Sequence, residues 1–175
     1  MDIAAHLSAK LKALRQARGW SLSLAAEKTG VSKAMLGQIE RNESSPTVAT
    51  LWKIATGLNV PFSVFIASGE LPERPVFDPQ NSDMVVVPLF PYDDHLRFDL
   101  FSITLAPGAL SESSPHDTGV IEHVTVISGA LDMQVQGKWQ TLRAGEGLRF
   151  AGDKAHSYRN GGLARVHFHS LIHYP

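Results

Sequence analysis

The amino-acid sequence predicts a two-domain α + β protein, and three observations carry that prediction. Apolar residues recur at the helical period in the first 68 residues, whereas strand-like alternation begins near residue 83. A segment with three prolines and alternating charge separates the two patterns. The first 68 residues hold eight Lys/Arg against four Asp/Glu, while the rest hold eight against 13. We therefore expect a helical domain at residues 1–68, a linker at 69–82 and a β domain at 83–175.

The stretch from Ser21 to Arg41, SLSLAAEKTGVSKAMLGQIER, predicts two short helices joined by a tight turn. Its apolar positions form two sets at helical spacing, and Thr29-Gly30-Val31-Ser32 separates them. The glycine can adopt a positive φ, and the serine suits the N-cap of a new helix. Two helices with such a turn form a helix-turn-helix, which places the start of its second helix against DNA base edges. The residues at that start are Lys33, Ala34, Gly37 and Gln38.

The flanking residues predict three further helices that complete a bundle. The first covers Ile3–Ala17 and is amphipathic. Another begins at Ser45-Pro46, an N-cap followed by proline at the first helical position. A short helix after Pro61 closes the core. The apolar residues that these three helices turn inward are Leu7, Leu11, Leu14, Leu51, Ile54, Leu58, Phe62, Phe65 and Ile66.

These features, in this order, resemble the Cro/C1 or xenobiotic-response-element class of helix-turn-helix regulators. The matching segment runs from LKALRQARGW through SLSLAAEKTGVSKAMLGQIER to NESSPTVATLWKIATGLNVPF. The resemblance implies a five-helix DNA-binding domain of the phage-repressor type. A helical hairpin used only for oligomerisation is the alternative interpretation. The expected DNA-binding residues are Ser21, Ser32, Lys33, Ala34, Gly37, Gln38, Arg41, Asn42 and Ser44.

Composition excludes several classes of protein. The chain has no cysteine, so neither a disulfide framework nor a thiolate metal site can form. No apolar run approaches the roughly 18 residues of a membrane span, and the N-terminal MDIAAHLSAKLKAL predicts an amphipathic helix rather than a signal peptide. We therefore expect a cytoplasmic protein. The basic first domain and acidic second domain suggest that nucleic acid contacts one end only.

From Asp83 onward the chain predicts short strands separated by turns that contain Gly and Pro. The strand-like segments are MVVVPLF, LRFDLFSITLA, EHVTVISGALDMQVQG, WQTLRAGEGLRFAG and ARVHFHSLIHYP. Many short strands with frequent turn glycines predict a small sandwich or barrel. Histidine is concentrated here, because His6 is the only one of the eight that precedes residue 95.

Residues at fixed spacings in this half of the chain form two motifs. The first comprises Pro107, Gly108, Ser114, Pro115, His116, Glu122 and Gly129, and the second reads G-x5-A-x-D-x2-H-x3-N from Gly145 to Asn160. Together they resemble the double motif of the cupin fold, a small jelly-roll barrel whose motif residues converge inside. Cupin metal sites usually draw two His and a Glu from the first motif and a His from the second. In this chain Ser114 stands at the first His position, which leaves three candidate ligands.

The expected effector-binding residues, which are also the candidate metal ligands, are His116, Glu122 and His156. Three N/O ligands with an open coordination position can hold Zn²⁺ or another divalent ion. The alternative is a metal-free pocket in which the same side chains bind a small molecule through charge-assisted hydrogen bonds. His123 should face away from Glu122 on a strand. His167 and His169 share one face, and either line the pocket or fill the barrel wall.

The chain as a whole, including LFPYD in its middle and HFHSLIHYP at its end, resembles the enterobacterial regulators of sulfur utilisation. That resemblance implies a transcription factor that responds to a sulfur-related metabolite, with a sulfur amino acid as the first candidate. One recognition helix reads only a few base pairs. We therefore expect a homodimer on a near-palindromic DNA operator, with the apolar Val85–Val87 segment available for the interface.

Two other functions can be built on the same residues. A cupin metalloenzyme, such as a dioxygenase or isomerase, uses a similar barrel. Ser114 at a ligand position and the helix-turn-helix domain both argue against an enzyme. A DNA-binding module in which the barrel only dimerises would need no effector site. The favoured function is a sequence-specific DNA-binding transcriptional regulator with no catalytic residues.

Overall fold

The computed structural model describes residues 3–66 and 83–175, which form a helical domain followed by a β domain. The helices in the described residues are α1 (Ile3–Ala17), α2 (Leu22–Thr29), α3 (Lys33–Glu40), α4 (Val48–Gly57) and α5 (Ser63–Ile66). The linker expected at 69–82 lies outside the described residues, as do the last two residues of the expected helical domain. None of the described helices has the length and apolar character needed to cross a membrane.

Local hydrogen bonds define the two motif helices as the sequence predicts. The Ser21 side chain accepts a hydrogen bond from the Leu24 amide at the start of α2. Ser32 likewise accepts one from the Met35 amide at the start of α3. Gly30 ends α2 with a φ of 66°, the left-handed conformation that favours glycine at a helix C-terminus. The predicted helix-turn-helix is therefore confirmed.

The helices enclose an apolar core, and the residues predicted to face inward are buried there except for Leu14, which is half-buried. The side chains exposed by 2% or less include Leu7, Leu11, Leu36, Ile39, Leu51, Ile54, Leu58, Phe62, Phe65 and Ile66. The C-terminal end of α4 packs against the end of α2 at Gly57. A Cβ atom at this position would lie 2.5 Å from the Lys28 carbonyl oxygen, so any side chain would force the two helices apart.

Helix α4 begins later than the sequence predicts. Its N-cap is Thr47, whose hydroxyl accepts a hydrogen bond from the Thr50 amide at 3.1 Å. The predicted cap at Ser45 is wrong, and Pro46 precedes the helix instead of opening it. Thr47 offers the same kind of side-chain acceptor as Ser45, while Pro46 is itself buried. The sequence therefore offered two possible caps, and residue type alone did not decide between them.

An ion pair fixes the orientation of α3 relative to α1. Arg15 donates hydrogen bonds to both carboxylate oxygens of Glu40, at 2.5 and 2.8 Å, and to the Trp20 carbonyl oxygen at 2.7 Å. Ser8 adds a hydrogen bond to the Glu40 carbonyl oxygen. The Arg15 and Glu40 side chains are only 14% and 7% exposed, so water screens their attraction incompletely. Arg15 therefore stabilises the helical bundle, and its charge is not part of a free basic surface.

The β domain consists of two sheets with the strand orders β1-β2-β9-β4-β7 and β3-β8-β5-β6. The strands are β1 (Met84–Phe90), β2 (Phe98–Leu105), β3 (Leu110–Ser113), β4 (Ile121–Ser128), β5 (Ala130–Val135), β6 (Lys138–Arg143), β7 (Gly147–Ala151), β8 (His156–Arg159) and β9 (Val166–His173). Neighbouring strands pair antiparallel. The sequence analysis missed β3 and β8, because four-residue, largely polar strands carry no clear alternation.

The helical domain packs directly on the β domain through α4 and α5. Trp52 stacks on Phe62 with ring centroids 4.0 Å apart, and both rings lie against Phe101 of β2 at 5.7 and 5.6 Å. Ser63 donates a hydrogen bond of 2.6 Å to the buried Asp99 carboxylate. Aromatic packing and a buried polar contact thus connect the two domains independently of the linker.

Candidate functional sites

The start of α3 presents an exposed surface, which we call the recognition face. Its exposed residues are Lys33, Ala34 and Gln38. Gly37 is buried, and a Cβ there would lie 3.2 Å from the Arg41 guanidinium and 3.7 Å from Leu22. These five residues and Leu22 line one shallow groove. The sequence analysis did not include Leu22, the first residue of α2, which reaches this groove from the neighbouring helix.

The other predicted DNA-binding residues flank the recognition face. They are Ser21, Ser32, Arg41, Asn42 and Ser44, and all five are exposed. The Arg41 guanidinium donates two hydrogen bonds of 2.7 Å to the Glu43 carboxylate, which hold the pKa of Glu43 below its usual value. An exposed pair of this kind is weak, so Arg41 can exchange Glu43 for a phosphate at little cost. Asn42 follows the C-cap residue of α3 and has a φ of 57°.

Inside the β domain the structure brings together the three residues that the double motif singled out. His116 lies in the loop before β4, Glu122 is on β4, and His156 begins β8. The Nε2 atoms of the two imidazoles lie 3.1 and 3.2 Å from the same atom, Glu122 Oε1. One potential ligand atom from each residue falls within 4.8 Å of the others. We call this cluster the barrel site.

Backbone hydrogen bonds hold the His116 loop over the barrel site. The His116 amide donates to the Gly152 carbonyl oxygen at 3.0 Å, and the Gly152 amide donates to the Val120 carbonyl oxygen at 2.8 Å. A Cβ at position 152 would lie 3.0 Å from Glu122 Oε1. Glycine at position 152 therefore leaves room for the carboxylate while its backbone fixes the loop.

When the His156 ring is neutral, two buried atoms of the barrel site, His156 Nε2 and Glu122 Oε1, face each other with no proton between them. His156 Nδ1 lies 2.8 Å from the Lys154 carbonyl oxygen, which can only accept, so Nδ1 carries the proton and Nε2 of the neutral ring carries a lone pair. Neither this Nε2 atom nor Glu122 Oε1 makes a hydrogen bond of good geometry. Two lone-pair atoms 3.2 Å apart repel unless a proton or a metal ion lies beside them. The donor set thus fits a cation.

Tyr158 completes the barrel site from the same face of β8 as His156. Its hydroxyl donates a 2.7 Å hydrogen bond to Glu122 Oε2. Burial alone would raise the pKa of Glu122, but His116 at 3.1 Å and His156 at 3.2 Å favour the carboxylate when their rings carry positive charge, so the pKa is lowered. Burial and the Glu122 charge raise the pKa of Tyr158 well above its ordinary value, which keeps the hydroxyl protonated. The sequence analysis missed Tyr158, although its i+2 spacing from His156 was a usable signal.

The cavity beside these residues is small. It leaves about 10 Å³ for the centre of a water molecule, which is room for about one water. Its lining includes Trp52 of α4, Ser113 of β3 and Tyr158, together with the three residues of the cluster. A side chain from the helical domain therefore forms part of the wall of a site that otherwise belongs to the β domain.

The remaining histidines of the β domain point elsewhere. On β9, His167 and His169 alternate with the buried Val166 and Phe168, so they lie on the outer face of the sheet and do not line the cavity. His167 Nε2 lies 2.7 Å from Ser102 Oγ. Burial, followed by the charge of His167, lowers the pKa of His169. The predicted orientation of His123 is confirmed, because it is exposed while its neighbour Glu122 is 1% exposed.

Comparison with known proteins agrees with this architecture. A helix-turn-helix family model matches residues 11–65, and a cupin domain model matches residues 101–172. The chain is 67% identical over 174 residues to the HTH-type transcriptional regulator SutR of Escherichia coli K12, covering 99% of this chain and 98% of SutR.

Two solved structures are also similar. A crystal structure of an HTH_3 family transcriptional regulator from Vibrio cholerae superposes with a TM-score of 0.84 at 39% identity, covering 100% of this chain and 99% of the other. The cupin domain of an XRE family transcriptional regulator from Enterobacter cloacae is 66% identical, with a TM-score of 0.53. It covers 54% of this chain and 99% of that domain.

A helix-turn-helix bundle followed by a cupin barrel defines a two-domain transcriptional regulator that binds DNA. The chain belongs to the family of HTH-type transcriptional regulators that includes Escherichia coli SutR. The resemblance that the sequence analysis identified is therefore confirmed. The function is that of a regulator and not of an enzyme, because a relative of such high identity over the whole chain is a transcriptional regulator.

Proposed function

We propose that the protein binds a near-palindromic operator as a homodimer and changes its affinity for that operator when the barrel site binds a polar, sulfur-related metabolite. The observation that carries this proposal is the convergence of His116, Glu122 and His156 at a buried site whose wall includes a residue of the DNA-binding domain. A site of this kind senses a ligand and is in contact with the part of the chain that must respond. We place this activity in the cytoplasm, where the DNA is.

The recognition face supplies groups suited to reading bases. The Gln38 amide can bind adenine through two hydrogen bonds, and the Lys33 ammonium can donate to guanine. Ala34 and Gly37 are small enough to let the helix lie close to the bases. Phosphate contacts from the predicted flanking residues Ser21, Ser32, Arg41, Asn42 and Ser44 would fix its register on the duplex.

The homodimer would form through the β domain. Among the described residues, β1 is an edge strand that pairs only with β2. Val86 is fully buried toward the core, whereas Val85 and Val87 are half-buried on the outer face. An apolar outer face beside an open strand edge suits a second copy of the same strand. Two recognition helices related by a two-fold axis would then read two half-sites about 34 Å apart, or a multiple of that distance.

A divalent metal ion, with Zn²⁺ as the first candidate, fits the donor set of the barrel site. His116 and His156 would bind it through Nε2, and Glu122 would bind it through Oε1, the atom that both imidazoles approach. A bound ion would provide the positive charge that attracts a carboxylate or thiolate of a metabolite. Without a metal, the same imidazoles, once protonated, would bind such an anion through charge-assisted hydrogen bonds. The resemblance to regulators of sulfur utilisation favours a sulfur amino acid.

The DNA-binding part of this proposal is tested by selecting binding sites from randomised duplex DNA and then measuring affinities for the selected operator. Gln38→Ala should relax the sequence preference and weaken operator binding by about 1–3 kcal/mol. Arg41→Ala should weaken binding to all sequences and reduce the dependence on salt. Lys138→Ala, which removes an exposed cation at the start of β6, is the matched control and should bind as the native protein does. Native affinity in both Gln38→Ala and Arg41→Ala would contradict the proposal.

The ligand-binding part is tested by calorimetry on metal-free protein, titrated first with Zn²⁺ and then with L-cysteine and L-methionine. The native protein should bind one Zn²⁺ per chain. Glu122→Gln keeps the shape of the side chain but removes its charge, and should lose that binding. Equal Zn²⁺ binding by both proteins would place the metal elsewhere. If neither the ion nor the amino acids bind, the barrel is a dimerisation platform only.

A further inference from the structure

Helix α4 of the DNA-binding domain lies directly on a residue of the barrel site. Thr56 Oγ1 is 3.2 Å from His116 Nδ1, the ring nitrogen that points away from Glu122. The Trp52 ring packs edge-on against the His116 ring, with centroids 5.8 Å apart. If Nδ1 donates its proton to Thr56, the lone pair of the neutral ring lies on Nε2 and faces Glu122. The Thr56 hydroxyl of the helical domain can thus determine which ring nitrogen of His116 carries the proton.

With α4 in its observed position, the barrel site has room for an ion but not for a metabolite. The cavity holds about one water molecule, whereas an amino acid occupies several times that volume. Trp52 and the barrel side chains enclose this cavity, and the His116 and His156 side chains are only 9% and 1% exposed. Anything larger than water or a metal ion therefore needs one wall to move. At the site, β4 and β8 pair with β7 and β3 without a register shift, and backbone hydrogen bonds hold the His116 loop. Helix α4 contacts His116 through the Trp52 and Thr56 side chains, so α4 is the wall that can leave.

We propose that α4 is the lid of the barrel site, with Trp52 and Thr56 as the residues that decide what enters it. This inference rests on the proposed ligand-binding function of the barrel. Because α4 belongs to the helical domain, a metabolite that occupies the site displaces the DNA-binding domain from its position on the barrel. In this movement Trp52 would stay stacked on Phe62, while both rings would separate from Phe101. The ligand therefore binds the open state, and its differential affinity for that state is the source of regulation.

Access to the barrel histidines provides a test that needs no knowledge of the natural metabolite. Diethylpyrocarbonate is a small organic reagent that modifies accessible imidazoles, and its reaction with each histidine can be followed by mass spectrometry on the full chain. In the native protein, His156 should react much more slowly than the exposed His123 and His173. Thr56→Val keeps the side-chain shape but removes the hydroxyl. It should accelerate the reaction of His156 about threefold to tenfold, the factor that one net hydrogen bond supplies.

Two further variants make the result specific. Trp52→Phe keeps an aromatic ring but reduces its size, and should also accelerate the reaction of His156. Thr50→Val makes the same chemical change on the same helix, where the hydroxyl bonds only to Thr47 in the described contacts, and should leave that rate at its native value. Circular dichroism and thermal melting confirm that each variant is folded before its rates are compared.

Unchanged reactivity of His156 in both Thr56→Val and Trp52→Phe would contradict the proposal that α4 is the lid, whichever ligand the barrel binds. If His123 and His173 were accelerated as much as His156, the proposal would also be contradicted, because that pattern indicates increased flexibility of the whole protein. Failure of the proposed function gives a different result: neither Zn²⁺ nor a metabolite binds, while the reactivity of His156 still depends on Thr56. The two ideas can therefore fail separately.

Discussion

Asp99 makes the contact between the two domains dependent on pH. Its side chain is buried at the junction, accepting hydrogen bonds from Ser63 of α5 at 2.6 Å and from the Tyr174 hydroxyl at 3.0 Å. Burial raises the pKa of Asp99 from 3.8 to about 6, and these hydrogen bonds only partly offset that effect. The carboxyl therefore prefers to be neutral in the folded protein at a pH where it is ionised in the unfolded chain.

The raised pKa fixes the sign of the effect on stability. The contribution of Asp99 is fully present below its ordinary pKa of 3.8 and is lost as the pH rises through about 6. The whole loss is on the order of 3 kcal/mol, and about half of it, on the order of 1.5 kcal/mol, falls between pH 5 and pH 8. Asp99→Asn keeps the shape and the ability to accept from Ser63 but cannot ionise. Its stability relative to the native protein should rise by that amount across this interval.

The assay is urea unfolding of both proteins at several pH values from 5 to 8. Contributions from other groups cancel when the variant is compared with the native protein at each pH. Asp93→Asn is the matched control. Asp93 is exposed, and hydrogen bonds from the Leu96 and His95 amides lower its pKa, so it stays ionised throughout the interval. A stability difference for Asp99→Asn that does not change between pH 5 and pH 8 would refute the reasoning.

Three further predictions follow from single contacts. Glu40→Gln leaves Arg15 without its carboxylate and should lower the free energy of unfolding by about 1–3 kcal/mol in urea titrations, while an unchanged midpoint would show the pair to be unimportant. Gly57→Ala places a Cβ against the Lys28 carbonyl oxygen and should destabilise the helical domain by about 1–3 kcal/mol, seen as a lower melting temperature. Tyr158→Phe removes the hydroxyl that orients Glu122 and should weaken Zn²⁺ binding by about 10–100-fold in competition titrations; native affinity would deny Tyr158 that role.

Much of the fold could be predicted because local signals agreed with one another. The caps at Ser21 and Ser32, the glycine at position 30 and the helical spacing of the apolar residues all indicated the same two motif helices. The start of α4 shows the limit of such signals. Serine is the better N-cap by residue type, yet Thr47 caps the helix, so the choice depended on packing that the sequence does not display.

The barrel site was predictable in its members but not in its surroundings. Motif spacing identified His116, Glu122 and His156, because the resembled fold brings those positions together. Nothing local indicated that Trp52 and Thr56, some sixty residues before His116, would lie against it. Contacts between domains depend on how the surfaces of two folded domains complement each other. No periodicity or cap within either domain encodes that fit.

The most direct test of the central claim is the affinity for the selected operator, measured by fluorescence anisotropy with and without the ion and the sulfur amino acid that calorimetry identifies as ligands. Occupying the barrel site should change the operator affinity of the native protein by about 5–150-fold, the usual range of allosteric coupling. The same ligands should leave the operator affinity of Glu122→Gln unchanged. If a ligand demonstrably fills the barrel site and the native protein binds its operator equally well with and without it, the barrel does not control DNA binding.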